Sequence, residues 1–273
     1  MVKKTIIMTH DEFNFNIHKT TFFGQYWKAK ETKAVVVLVH GMGEHSTRYV
    51  HVAQKLAANN FSLVAFDHFG HGKTEGKRGH NPNFEAVLES VTKTIEKAKE
   101  LFPDKPIFLY GHSMGGNVVA NYALRKQHNL KGIVATSPFL KLAFTPPAIK
   151  LFVGKIFQKI APSLTMGNEL DANDISRDKN EVEKYLKDPL VHAKISPNYS
   201  IKFIETGQWA IENAKNLKTP MFLLHGTDDK ITAYKGTEEF ANNVEKATLK
   251  LYKNGYHELH NDFCKEEMLN DIV

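Results

Sequence analysis

From residue 13 the chain alternates. Phe13, Phe15 and Ile17 fall on one face and Asn14, Asn16 and His18 on the other, the period-two pattern of a strand with one buried side. Thr21–Trp27 reads as its hairpin partner. Ala34–Val39 is continuous and β-branched, which predicts a strand covered on both faces, as in a parallel sheet. Runs of the same kind recur at Phe61–Phe66, Ile107–Tyr110, Gly132–Ala135, Met221–Leu224 and Leu249–Tyr252.

Between these runs the apolar spacing becomes helical, most clearly at Phe84, Val87, Leu88, Val91, Ile95 and Ala98. Strands alternating with amphipathic helices predict an α/β fold, a mostly parallel eight-stranded sheet flanked by helices. From about Phe139 to Ile204 the rhythm breaks into helix-like pieces joined by Pro- and Asn-rich links. We therefore expect a core formed by residues 1–138 and 205–273, with residues 139–204 inserted as a helical cap above the ligand-binding edge of the sheet. A last helical pattern begins near Asn261 and stops at Val273, as in a shortened chain.

Composition narrows the class. With 273 residues, 42% hydrophobic and 24% charged, the chain suits one large soluble domain. Cys264 is the sole cysteine, so no disulfide framework is expected and a reducing compartment fits. Met1–Met8 holds too short an apolar run for a signal peptide, and no stretch reaches the roughly 18 apolar residues of a membrane span. A cytoplasmic location is the expectation. The net charge of +6 comes from scattered lysines with no nucleic-acid motif, so nucleic acid is not an expected partner.

The chemistry centres on Gly111-His112-Ser113-Met114-Gly115, directly after the run ending at Tyr110 and before a helix-forming stretch. G-x-S-x-G in that context is a strand-to-helix turn that lifts a serine oxygen above the sheet end. A serine hydroxyl needs a base to take its proton and a third group to orient the base. In this fold the order is serine, acid, histidine. Asp228 and Asp229 follow the strand Met221–Leu224; His257 and His260 follow Leu249–Tyr252. Chemistry alone does not choose within either pair, although His257 directly follows the Gly255-Tyr256 turn and His260 is expected to start the last helix. An oxyanion needs two backbone N–H donors. Met114, the residue after the serine, is one; the loop His40-Gly41-Met42-Gly43 after the early buried strand nominates Met42 as the other.

At this point a family resemblance becomes specific. His40-Gly41-Met42-Gly43-Glu44-His45-Ser46-Thr47-Arg48-Tyr49 resembles the H-G-x-G-E-H-x-x-R-Y signature of the monoacylglycerol lipase/lysophospholipase branch of the α/β-hydrolases. Asp67-His68-Phe69-Gly70-His71-Gly72 is similar to its D-H-x-G-H-G loop, and Gly111–Gly116 to its G-H-S-M-G-G turn. Ser176-Arg177-Asp178 and Asp188–His192 resemble stretches of its bacterial members. The resemblance spans about residues 35–265 and implies Asp229 as the acid, His257 as the base, and hydrolysis of lipid monoesters without metal or cofactor.

Other readings are weaker. Gly72-Lys73-Thr74 ends like a phosphate-binding loop, but Asp67 stands where that loop requires glycine. His68 with His71, or His257 with His260, lacks acidic or cysteine partners at metal-site spacing. The same triad could cut amides or carbon–carbon bonds, or the fold could serve as a receptor with little turnover. Halide or epoxide chemistry is disfavoured, because such enzymes carry aspartate where Ser113 stands. Within the cap, Ile149, Phe152, Val153, Ile156, Phe157 and Ile160 share a helical face edged by Lys150, Lys155 and Lys159. That face either packs inward, with Phe152, Ile156 and Phe157 lining an acyl pocket, or rests on a membrane surface.

Overall fold

In a computed structural model, which describes residues 8–273, the predicted runs pair into one eight-stranded sheet. The strands are β1 (Met8–Ile17), β2 (Thr20–Ala29), β3 (Ala34–Val39), β4 (Phe61–Phe66), β5 (Ile107–His112), β6 (Gly132–Thr136), β7 (Met221–Gly226) and β8 (Ala247–Tyr252). Their order is β1-β2-β4-β3-β5-β6-β7-β8. The hairpin β1–β2 is antiparallel and joins β4 antiparallel, while all pairings from β4 through β8 are parallel. Residues 1–7, which are all but the last residue of the segment considered as a leader and the start of the expected core, lie outside the described residues.

The continuous β-branched run has the predicted consequence. Every residue of β3 is buried, and its side chains alternate between two cores. Val35, Val37 and Val39 face the core under α2 (Phe84–Leu101), α3 (Met114–Arg125) and the later helix α6 (Pro197–Asn213). Val36 and Leu38 face the opposite core, under α1 (Val50–Ala58) and the last helix α8 (Lys265–Ile272). Asn83 caps α2, its side-chain oxygen accepting from Ala86 N at 2.9 Å.

The connection order positions the site. From β3 the chain moves one way to β4, then returns to β5 on the other side of β3. The loops leaving β3 and β5 therefore diverge and open a crevice at the carboxyl ends of the strands, where sheets of this kind bind ligands.

Between β6 and β7 lie α4 (Ala148–Ile160), α5 (Lys179–Lys187) and α6, with a two-residue ladder of Met166–Gly167 on Lys194–Ile195. The boundary expected at 204 falls inside α6, which is one continuous helix packed on α3 and α4. Helix α7 (Tyr234–Asn242) joins β7 to β8. The terminal helix begins at Lys265 rather than near Asn261, because a 3₁₀ turn occupies Leu259–Asn261 and Asp262 is drawn back to accept from Tyr256 N at 2.8 Å and Arg177 Nε at 2.7 Å. Among the described residues no helix is long and apolar enough to cross a membrane.

Candidate active site

Ser113 directly follows β5 and precedes α3 with φ 54° and ψ −114°, a conformation rare for a residue with a side chain. Its flanking glycines allow the turn. A Cβ on Gly111 would lie 2.3 Å from Gly115 O, and a Cβ on Gly115 would lie 1.9 Å from Val39 O. The amide of Ser113 donates to Thr136 O at 2.9 Å and its carbonyl accepts from Phe139 N at 2.8 Å, so β6 and its loop hold the strained backbone.

The loops after β7 and β8 meet this turn. Ser113 Oγ donates to His257 Nε2 at 2.8 Å, and His257 Nδ1 donates to Asp229 Oδ2 at 2.7 Å. Asp229 Oδ1 accepts from the amides of Ile231 at 2.8 Å and Thr232 at 2.9 Å, and Oδ2 accepts from the Thr232 hydroxyl at 2.8 Å. Asp228 points to solvent and takes only the Thr227 hydroxyl, at 3.1 Å. His260 is fully buried against the Tyr49 and His112 rings, away from Ser113's hydrogen-bonding reach. Of each candidate pair, the fold brings one member to the serine.

Charge follows from this packing. Burial would raise the Asp229 carboxyl, but the facing His257 and the hydrogen bonds from His225 and His257 hold it well below the carboxylate range. Burial would lower His257, yet the Asp229 charge outweighs it and leaves the imidazole above its ordinary 6.5. His225, which the motif pattern did not single out, donates from Nε2 to Asp229 Oδ2 at 3.0 Å and bonds Thr237 through Nδ1 at 2.8 Å. Its only sequence signal is its place four residues before Asp229 at the end of a buried strand.

Met114 is the first residue of α3, where N–H groups have no intrahelical acceptor. Met42 sits in the loop after β3, and that loop lies against the serine turn: a Cβ on Gly41 would be 3.4 Å from Ser113 Cβ. Gly43 O accepts from His192 N at 2.9 Å, so the segment after α5 lies on the same loop.

Above the serine is a cavity of about 390 Å³, with walls from Met42, Leu170, Ile175, Leu186, Val191 and Ile231, and with polar Asn168, Asp171 and His192. Among the described residues none lining it is Lys or Arg. Phe152, Ile156 and Phe157 do not line this cavity, contrary to expectation. Helix α4 packs on α6, where Gly154 is so close to Ile201 that a Cβ would meet its Cδ1 at 2.6 Å. That seat leaves Phe157 half-buried and turns Phe152 and Ile156 outward, 63% and 41% exposed. Between β6 and β7, the residues that do line the cavity come from the 168–175 loop and from α5 and its exit.

The decoys also find places. Asp67 Oδ2 accepts from Lys73 N at 2.8 Å and Oδ1 from Ser46 N at 2.8 Å, so the Gly72-Lys73-Thr74 loop is wrapped around a carboxylate. Among the described residues no group of three or more His, Cys, Asp or Glu is arranged to hold a metal.

A serine on a strand-to-helix turn, with histidine and carboxylate from later loops of an α/β sheet, defines a serine hydrolase of the α/β-hydrolase fold. The Hydrolase_4 family model, described as serine aminopeptidase S33, matches residues 30–263. A monoacylglycerol lipase of Mycolicibacterium smegmatis is 33% identical over 246 residues, covering 89% of this chain and 88% of that protein. An abhydrolase domain-containing protein of Dictyostelium discoideum is 38% identical over 260 residues, 93% of this chain, which spans only 27% of that longer relative. The crystal structure of a Paleococcus ferrophilus monoacylglycerol lipase superposes with a TM-score of 0.84 at 32% identity, covering 98% of this chain and 97% of the other. The chain belongs to the Hydrolase_4 family, among its monoacylglycerol lipase relatives, and is a carboxylic ester hydrolase.

Proposed function

We propose that the protein hydrolyses lipid monoesters, monoacylglycerols above all, through an acyl-enzyme on Ser113. The observation that carries this is the unbroken Ser113–His257–Asp229 relay beneath a cavity with apolar walls. Ser113 Oγ attacks the acyl carbonyl carbon while His257 Nε2 takes the hydroxyl proton. Asp229 keeps Nδ1 protonated and stabilises the imidazolium. The Met42 and Met114 amides donate to the oxyanion. His257 returns the proton to the glycerol oxygen as the carbon–oxygen bond breaks. Water, deprotonated by the same nitrogen, then attacks the acyl-enzyme and releases the fatty acid. Residues 139–204 act as the cap that sets chain length and head group.

The cavity walls favour a neutral head group. Among the described residues no lysine or arginine lines it, so an anionic phosphate finds no such cation there; of its carboxylates, Glu44 and Glu258 are already held by Arg48, Asp188 is paired with His45, and Asp171 faces solvent. The same occupancy leaves no free buried carboxylate for the α-amino group that an aminopeptidase, the family model's description, would bind. A panel of monooleoylglycerol, oleoyl-lysophosphatidylglycerol and an aminoacyl-anilide tests this. We expect kcat/KM to fall at least about tenfold from the first to the second, the effect of one like-charge contact of about 1.4 kcal/mol, with little activity on the third. Preference for the phosphoglycerol head group or for the anilide would contradict the substrate assignment.

Helix α4 supports peripheral contact with a lipid surface. None of its residues is fully buried; Ile149, Phe152 and Ile160 are 66%, 63% and 72% exposed, with Lys150, Lys155 and Lys159 beside them. A basic-edged apolar face of this kind lies in the interfacial zone of anionic membranes. Phe152→Ser with Ile160→Ser should reduce sedimentation with phosphatidylglycerol vesicles by roughly tenfold or more, since each buried apolar side chain contributes about 1.5–3 kcal/mol. Unchanged partitioning would sink the idea.

A further inference from the structure

The relay rests on a second buried network that the reaction itself does not use. Glu44 lies four residues before Arg48, and Glu258 directly follows His257. Arg48 Nη1 donates to Glu258 Oε1 at 2.7 Å and to Glu44 Oε2 at 2.9 Å, and Nη2 donates to Glu258 Oε2 at 2.7 Å. The three side chains are 9%, 2% and 4% exposed for Arg48, Glu44 and Glu258. Two carboxylates therefore share one planar, mostly buried guanidinium, where the fork geometry gives direction as well as charge pairing.

Each carboxylate has its other oxygens committed to a loop of the active site. Glu44 Oε1 accepts from Gly41 N at 2.6 Å and from the Tyr49 hydroxyl at 2.7 Å, which fixes the loop carrying the Met42 amide. Glu258 Oε2 accepts from Asn261 Nδ2 at 2.7 Å, and Glu258 N donates to Ile175 O at 2.7 Å, which fixes the histidine loop and joins it to the cavity wall. The Tyr185 ring covers the guanidinium, 4.8 Å from centroid to Cζ. The loop that binds the oxyanion and the loop that carries the base are otherwise remote in sequence, and Arg48 is where they are tied.

We propose that Arg48 is a positioning residue that sets the distance between the Met42 amide and His257 Nε2 by clamping Glu44 and Glu258. The inference rests on the Ser113 acyl-enzyme reading above. Arg48 touches no reacting atom; its effect is the register of two groups that act on the same carbonyl. A displacement of about 1 Å between such groups costs on the order of 10² in rate.

The network also sets the field at the base. The groups facing His257 are Asp229 from the β7 loop, Glu258 beside it, Glu44 from the β3 loop and His112 from the end of β5. Glu258 and Glu44 both act to raise the imidazole. Glu258→Gln keeps the shape and removes one of those charges, so the acid limb of kcat/KM should move to lower pH.

Arg48 also lines a surface groove of about 760 Å³ with His51, Lys55 and Lys184, so a small cation can reach the space the side chain leaves. The test compares wild type, Arg48→Ala, Arg48→Lys, Glu258→Gln and Ser113→Ala on a monoacylglycerol. Arg48→Ala should lose about 10²-fold in kcat with KM changed little, and millimolar ethylguanidinium should restore part of kcat without altering wild type. Arg48→Lys, which keeps charge but not the fork, should fall between them. If Arg48→Ala is folded and turns over at the wild-type rate while Ser113→Ala is dead, this inference alone is wrong. If Arg48→Ala is too unstable to assay, Glu258→Gln decides: an unmoved acid limb with unchanged kcat overturns the proposal.

Discussion

Ser113→Ala is expected to lower kcat by about 10⁶ while leaving the fold intact. The size follows from what the hydroxyl does: without it His257 has no proton to take and no acyl-enzyme forms, so only oxyanion binding and proximity remain. Folding should tolerate the change, because the turn is held by the Ser113 backbone, whose N–H donates to Thr136 O and whose carbonyl accepts from Phe139 N, and not by the side chain. Alanine in place of serine keeps the same backbone demand at φ 54°. The measurement is steady-state hydrolysis of a monoacylglycerol beside a thermal melt. A variant with most of its activity and an unchanged Tm would remove Ser113 from the mechanism.

Asp229→Asn should cost about 10⁴ in kcat, and Asp228→Asn next to nothing. Asparagine can still accept from the Ile231 and Thr232 amides through its oxygen, so its nitrogen is left facing His257 Nδ1. Two donors then oppose each other, and the imidazole is driven to the tautomer with its proton on Nε2, where it cannot take one from Ser113. The pH profile carries a second signature. His257 must be neutral to act as base, and its value lies above 6.5, so wild-type kcat/KM should fall as pH drops through a point above that value. Removing the Asp229 charge lowers the imidazole, so the residual activity of Asp229→Asn should persist to lower pH. The Asp228 carboxylate is exposed and accepts from the hydroxyl of its neighbour Thr227, so neither rate nor acid limb should move with it. Equal losses from both substitutions would contradict the assignment.

Much of this architecture is legible in the chain because it is local. The alternation of Phe13, Phe15 and Ile17 specifies a half-buried strand, and the β-branched run Ala34–Val39 specifies one covered on both sides. Gly111 and Gly115 announce a turn in which a Cβ would strike backbone. What local pattern does not carry is which of two adjacent like residues faces inward. Asp228 and Asp229 have the same chemistry and the same neighbourhood in sequence; burial and the donors of Ile231 and Thr232 separate them. The support given by His225, and the clamp of Arg48 on Glu258 across 210 positions, exist only once the loops of β3, β7 and β8 converge. Helix α4 shows the opposite failure. Its apolar face is plain in sequence, but periodicity states that a face is apolar and not what covers it, and Phe152 and Ile156 turn outward instead of into the cavity.

The central claim, that turnover passes through an ester on Ser113, is tested most directly by mass spectrometry of enzyme quenched during hydrolysis of a monoacylglycerol. The account predicts a fatty-acyl increment confined to the peptide carrying Gly111–Gly115, absent in Ser113→Ala and greatly reduced when His257 is replaced by a residue that cannot take the serine proton. Steady release of fatty acid with that peptide unmodified at every quench time, and undiminished in Ser113→Ala, would contradict it.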